Sequence, residues 1–375
     1  MTPRPTQQGS PFTCDIFCRV IDNYGDIGVA WRLARQLATE YGVTVRLIVD
    51  DLTSFQKLFP AVVPDLAEQS VEGVAVVFWC DTLNLADASD LTIEAFGCEL
   101  PASYLAKMSH RKKTPVWINL EYLSAEPWVE DHHLLPSPHP VLPLTKFFYF
   151  PGFMPRTGGL IRERDLIATR DTTALSPDAN MLHVLIFGYD WAPAEALLAA
   201  MVQTNKHISC GFLDGGLAQK LKRWRGTPGK KAPGAAPDIE FQIVSFVPQD
   251  KFDCLLWHQD VLFVRGEDSF VRAQWAAKPF VWQIYPQADG VHLIKMNAFL
   301  DRYCAGLNAP VETAVRELWR AWNSPNPQEI GPVWAAFVDQ LPVLNAHAKL
   351  WAQRLSDMPD LASNLLSFYG KNVKI

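Results

Sequence analysis

Residues 14–21 form an apolar run that breaks into Asp22-Asn23-Tyr24-Gly25-Asp26-Ile27-Gly28. Beyond it, residues 29–38 place their apolar side chains at helical spacing. A buried strand, a tight turn and an amphipathic helix are how a parallel α/β sheet begins, and in such a sheet ligands bind outside the carboxyl ends of the strands. Helix amides pointing into that turn favour negative charge on a ligand, yet the turn itself brings Asp22 and Asp26. A loop that only cradled phosphate would need no acids. Acids there point to a base or to a receptor for a cation.

The pattern then repeats. The stretches 43–49, 74–79, 91–96 and 115–120 read as strands, and the prolines of 136–143 hold that stretch as extended loop. Periodicity fades from 151 to 180, around Gly158-Gly159, and alternation restarts. Strands are expected at 183–187, 207–212, 239–246, 261–264 and 280–284, with helices at 193–203, 217–224, 251–258, 269–277 and 291–303. Residues 226–237, rich in Gly and Pro, read as a surface loop, and 311–369 reads as helices only. The expected fold class is α/β: two doubly wound Rossmann-like domains facing across a cleft, the GT-B arrangement, with a helical C-terminal tail. The first domain is placed at 12–157, a linker at 158–180 and the second domain at 181–351. A C-terminal helix, about 352–375, is expected to pack back on the first domain. A two-domain dehydrogenase shares this outline.

Composition removes other classes. The 375 residues are 49% hydrophobic and 20% charged with a formal net charge of −6, which argues against a general nucleic-acid or membrane-surface binder. The seven cysteines are scattered without a C-x-x-C pair, as buried free thiols of a reducing compartment would be. Residues 1–11 lack the apolar core of a signal peptide, and no apolar run approaches the ~18 residues of a membrane span. A cytoplasmic, soluble protein is expected.

A second stretch carries chemistry. The strand at 261–264 runs into Arg265-Gly266-Glu267-Asp268-Ser269 and then a helix. Asp268 or Ser269 would serve as an N-cap. As a set, free helix amides, Ser269 and Arg265 suit a diphosphate, and Glu267 suits a sugar hydroxyl. Phe246, followed by Val247 and Gln249, suits a base that stacks on the ring while the amide reads its edge. Tyr189 follows the first strand of the second domain and Tyr285 follows the strand at 280–284, which would bring both to the same edge. Other signals fail. The first turn lacks the G-x-G-x-x-G dinucleotide fingerprint, and there is no P-loop. His132, His133 and His139 follow no zinc spacing, and no Asp-x-Asp pair offers a metal bridge to a diphosphate. No metal and no cofactor are expected.

Residues 22–29 with Trp31-Arg32-Leu33-Ala34-Arg35, and 265–270 with Arg272-Ala273-Gln274, together resemble the bacterial elongation factor P arginine rhamnosyltransferase (EarP) family. Pro151-Gly152-Phe153, Thr157-Gly158-Gly159-Leu160, Asn119-Leu120-Glu121-Tyr122 and Pro136-Ser137-Pro138-His139-Pro140 are similar to it too, over a span from 14 to about 303. The resemblance implies an inverting GT-B enzyme. It would move rhamnose from dTDP-β-L-rhamnose to a guanidinium nitrogen of an arginine in elongation factor P, which then rescues ribosomes stalled at polyproline. It implies Asp26 as general base and Asp22 as a second essential carboxylate, with Asn23, Tyr24 and Gly25 as substrate contacts. It implies Phe246, Val247 and Gln249 around thymine and Arg265, Glu267, Asp268 and Ser269 on diphosphate and sugar. Tyr189 and Tyr285 would lie beside the donor. Elongation factor P and the dTDP-sugar are the implied partners, with no nucleic acid and no membrane.

The physics is consistent. Arginine stays protonated to pH above ~12, so its nitrogen is a poor nucleophile unless carboxylates hold and deprotonate it. Residue chemistry alone stops at a two-domain nucleotide-sugar enzyme with a cation-like acceptor. A GT-B transferase with another acceptor, a nicotinamide-dependent oxidoreductase and a nucleotide-sensing adaptor remain the alternatives.

Overall fold

In the computed structural model, residues 12–21, 24–173, 181–204, 206–225, 239–324 and 330–373 are described. The chain divides into two units, Met1–Arg164 with Pro359–Ile375, and Asp165–Met358.

In the first unit the elements follow as β1 (Thr13–Cys18), α1 (Gly25–Tyr41), β2 (Thr44–Val49), α2 (Leu52–Leu58), β3 (Glu68–Val71), β4 (Val74–Phe78) and β5 (Leu91–Ala95). Then come α3 (Ala102–His110), β6 (Val116–Leu120), α4 (Val129–His132), β7 (Pro136–Pro138) and β8 (Thr145–Tyr149). Among the described residues they form one eight-stranded sheet in the order β3-β4-β2-β1-β5-β6-β8-β7. Only the edge strands β3 and β7 pair antiparallel. From β1 the chain winds through β2 to β4 on one side, then through β5, β6 and β8 on the other. The reversal falls between β1 and β5, and the turn after β1 opens there.

Helix α1 starts four residues before the sequence suggested. Gly28 N–H already donates to Tyr24 O at 2.9 Å, so Asp26 sits in the first helical turn rather than in a loop. The N-cap, Tyr24, supplies no side-chain capping bond to the helix amides, forgoing about 1 kcal/mol. Burial of Trp31, Leu33 and Leu37, each fully enclosed, outweighs that at roughly 1.5–3 kcal/mol apiece. The helix stops at Gly42, whose φ of 68° lets its N–H return to Ala38 O. A second difference is β7, within the stretch expected to be loop. It pairs with β8 at the sheet edge, where the missing N–H of Pro136 and Pro138 is tolerated.

The second unit runs α5 (Leu166–Thr173), β9 (Met181–Ile186), α6 (Ala194–Val202), β10 (His207–Leu213), α7 (Gly216–Arg225), β11 (Ile239–Val244) and α8 (Gln249–Trp257). It continues through β12 (Val261–Arg265), α9 (Asp268–Ala276), β13 (Phe280–Gln283), α10 (Val291–Tyr303), α11 (Ala309–Trp322), α12 (Ile330–Asp339) and α13 (Leu341–Ser356). Helix α5 lies where only linker was expected; the loop expected at 226–237 lies outside the described residues. The described strands form an all-parallel sheet, β11-β10-β9-β12-β13, that reverses between β9 and β12. Phe270 stacks on Trp282 at 4.0 Å and meets Phe299 edge-on at 4.8 Å, while Trp319 donates its indole N–H to Phe280 O at 3.0 Å. The last helix, α14 (Leu361–Asn372), belongs to the first unit. Leu361, Ala362 and Leu365 join the α1 core, and Tyr369 stacks on Phe12 at 4.2 Å. Among the described residues no helix is long and apolar enough to cross a membrane.

Candidate functional site

In the first unit the site grows from the turn after β1. Successive backbone amides of that turn are held by carboxylates: Val20 N–H donates to Asp50 Oδ1 at 2.9 Å, and Ile21 N–H to Asp26 Oδ2 at 2.8 Å. The other Asp26 oxygen accepts from the Tyr122 hydroxyl at 3.1 Å. Asp26 is 2% exposed, and a donor on each oxygen fixes the plane of its carboxylate. Tyr122 follows β6 and stacks on Phe96 at 4.5 Å, and Phe96 takes φ +57° as the chain leaves β5. The ends of three strands therefore converge on one carboxylate. Beneath it, burial pushes the Cys18 thiol well above its ordinary pKa, and the charge of Asp26 adds to the effect. Tyr24 and Gly25 are half-buried beside Asp26; Asp22 and Asn23 lie outside the described residues.

The second unit builds its own edge at the reversal between β9 and β12. Arg265 ends β12, and its guanidinium lies over the rings of both Phe187 and Tyr189 at 4.6 Å. Each such contact contributes about 0.5–2 kcal/mol and holds the cation at the sheet edge. Tyr285 meets Tyr189 edge-on at 5.6 Å, and Trp191 lies parallel to it at 6.0 Å. Gly266, with φ 64°, turns the chain from strand to helix and receives the Trp282 indole N–H at 2.8 Å. A side chain at that φ would be strained.

The expected capping is corrected here. Helix α9 takes Glu267 as its N-cap, without a capping bond from its side chain to the helix amides, because the helix begins one residue before Ser269. Asp268 therefore lies in the first turn, favoured by the helix dipole. Ser269 instead donates to Arg265 O and accepts from Arg265 N–H at 3.2 Å.

Gln249, at the start of α8 and buried, donates to Asp268 Oδ2 at 3.0 Å. Asp253 one turn later grips the buried Arg272 of α9 in a two-pronged ion pair at 2.5 and 2.7 Å. These contacts carry the 246–249 stretch to the Arg265 turn, although β11 and β12 are not neighbours in the sheet. Phe246 is 37% exposed in that stretch, Val247 is half-buried, and Tyr285 is exposed. An open aromatic, a held cation and a helix start with an acid in its first turn can receive a stacked base, a diphosphate and a sugar hydroxyl.

Sequence reasoning missed Tyr122 and Asp50 as partners of the first turn. Tyr122 stands just past a strand end, in the Asn119–Tyr122 tetrapeptide, and that position was the available signal. His132, His133 and His139 go to separate backbone partners, Trp128 O, Phe150 N–H and the amides of Val141 and Leu142. Among the described residues no group of three His, Cys, Asp or Glu is arranged to hold a metal ion.

Residues 14–370 match the family model for the elongation factor P (EF-P) rhamnosyltransferase EarP. The chain is 43% identical to a protein-arginine rhamnosyltransferase of Pseudomonas putida, covering 95% of this chain and 98% of that one. It is 39% identical to one from Pseudomonas aeruginosa, with the same coverage. A solved structure described as the structural basis for EarP-mediated arginine glycosylation of translation elongation factor EF-P superposes with a TM-score of 0.66. It is 31% identical and covers 96% of this chain and 99% of that one. The glycosyltransferase VinC in complex with dTDP, at 12% identity and a TM-score of 0.51 over 96% of this chain and 99% of that one, shares the fold.

Proposed function

The chain belongs to the EarP family of elongation factor P rhamnosyltransferases, and from that premise we propose how this protein-arginine rhamnosyltransferase works. It transfers L-rhamnose from dTDP-β-L-rhamnose, with inversion, to a guanidinium nitrogen of one arginine in elongation factor P. It does so in the cytoplasm and without a metal ion or cofactor. The observation that carries this reading is Asp26, a buried carboxylate held by Ile21 N–H and the Tyr122 hydroxyl at the reversal point of the first sheet.

A guanidinium nitrogen becomes nucleophilic as it gives up a proton, and Asp26 accepts that proton while the new C–N bond forms at the anomeric carbon. Asp22 shares the guanidinium, and Asn23, Tyr24 and Gly25 shape its surroundings. The bond from that carbon to the dTDP oxygen breaks, and dTDP leaves with the electron pair. Arg265 and the amides opening α9, the Ser269 N–H among them, meet the charge that gathers on the diphosphate, while the Ser269 hydroxyl, bonded to Arg265 O, holds that turn. Glu267 and Asp268 accept from sugar hydroxyls. Phe246 stacks on thymine, Val247 and Gln249 complete its rim, and Tyr189 and Tyr285 flank the donor.

Mass spectrometry of elongation factor P after incubation with this protein and dTDP-rhamnose tests the reaction. A gain of one deoxyhexose on a single arginine peptide is expected. No gain with dTDP-rhamnose, with turnover of another nucleotide sugar or another acceptor, overturns it.

A further inference from the structure

One buried side chain ties the turn after β9 to the far edge of the second sheet. Gln283, the last residue of β13, stands opposite Arg265 in the sheet register and is 0% exposed. Its Oε1 accepts from the backbone N–H of Tyr189 at 2.7 Å, reaching past β12, which lies between β9 and β13. That bond also decides which end of the amide is oxygen, because the reverse orientation would set an NH2 against an N–H. Gly188 makes the room. A Cβ at that position would stand 2.9 Å from Gln283 Oε1 and 3.0 Å from Leu217 Cδ2.

β13 is itself anchored. Asn323 Oδ1 accepts from Ile284 N–H at 3.0 Å, and its amide donates to Trp282 O at 2.8 Å. The Trp282 indole in turn donates to Gly266 O. One braced strand end therefore holds both turns that bring Tyr189 and Arg265 together.

We propose that Gln283 is a positioning residue for the nucleotide-sugar donor. By holding the Tyr189 N–H it keeps the Tyr189 ring beneath the Arg265 guanidinium, which then meets a nucleoside diphosphate in one fixed orientation. The inference rests on the donor site assigned to this edge above. A purely structural bond would change stability and leave donor affinity alone; a positioning bond changes donor affinity in a folded protein. Among the described residues Gln283 Nε2 meets no acceptor, so replacing the amide by leucine removes one hydrogen bond and no second one.

The test is calorimetric binding of dTDP, UDP and GDP to the full chain and to Gln283→Leu, Gln283→Glu and Gly188→Ala, with donor KM and kcat measured on the same proteins. Gln283→Leu should weaken dTDP about tenfold, the scale of one lost hydrogen bond in a buried setting. Donor KM should rise to match, with kcat at saturating donor little changed. Gln283→Glu keeps an oxygen in place and, buried, favours the neutral acid; it should restore most of the affinity. Gly188→Ala displaces the same oxygen and should mimic Gln283→Leu, with little further loss when the two are combined. If Gln283→Leu does not fold, Gly188→Ala decides by the same criterion. Wild-type affinity in Gln283→Leu, or equal losses in the Leu and Glu variants, overturns the inference. Wild-type preference for UDP or GDP would overturn the thymine reading, and positioning is then judged on that nucleotide. No binding of any of the three overturns both.

Discussion

Replacing Tyr122 by phenylalanine removes one atom from the site and leaves its frame in place. The ring still stacks on Phe96 at 4.5 Å, while the hydroxyl that donates to Asp26 Oδ1 at 3.1 Å is gone. A hydrogen bond to a charged group contributes about 1.5–3 kcal/mol. Tyr122 is 39% exposed, so water replaces part of the bond and the low end, about 1.5 kcal/mol, applies. If the carboxylate must keep its plane to take the proton, that loss appears in the barrier as roughly a tenfold slower reaction. The assay is single-turnover transfer to elongation factor P at saturating dTDP-rhamnose, with thermal unfolding measured alongside. A tenfold slower rate is expected from a protein that stays folded at the assay temperature, its melting temperature lowered by only about 2–4 °C for each kcal/mol lost. An unchanged rate would show that the hydroxyl does not orient Asp26, and a rate that falls only because dTDP binding falls would move Tyr122 to the donor.

Phe246→Ala should weaken dTDP by at least about fivefold, since stacking of a base on an aromatic ring contributes about 1–3 kcal/mol; unchanged affinity by calorimetry would take Phe246 out of the base site. Burial pushes His133 down to about 4, and its Nδ1 accepts from Phe150 N–H at 3.1 Å. The unfolded chain takes up that proton near pH ~6.5, so His133 makes stability fall as pH drops from there toward about 4 and level off below. His133→Asn keeps an acceptor and should flatten that part of the denaturation profile; parallel wild-type and variant profiles would remove His133 as the cause. The Cys14 and Cys18 thiols are pushed well up by burial, and Cys98 to about 12. All three should resist alkylation near neutral pH until the protein unfolds, and rapid labelling of the native state would contradict their burial.

Interior strands such as β4 and β12 were legible because buried parallel strands read as continuous apolar runs. The edges were not. β3 carries Glu68-Gln69-Ser70 and pairs antiparallel on one side only, and β7 is framed by prolines. Helix α5 is short and mostly polar beyond Leu166, so nothing periodic marked it. Gly25 and Gly28 read as turn residues, yet tertiary burial of α1 draws both into its first turn.

Of the site, the Asp26 turn and the Arg265 turn were readable as acids, a cation and a serine placed between a strand and a helix. Tyr122 and Gln283 were not, because each acts across strands, and their partners follow from sheet order rather than from neighbours in the chain. Rhamnose and arginine came from the family resemblance, since the residues themselves spoke only for a cation-like acceptor and a nucleotide-linked donor.

The central claim is that Asp26 serves the acceptor nitrogen and not the donor. The transfer rate of Asp26→Asn, at a dTDP-rhamnose concentration shown to saturate the variant, measures this most directly. A loss of about 10²–10⁴ in turnover is expected, with donor affinity close to that of the unmodified protein. Turnover at the normal rate, or a loss fully explained by weakened donor binding, would contradict it.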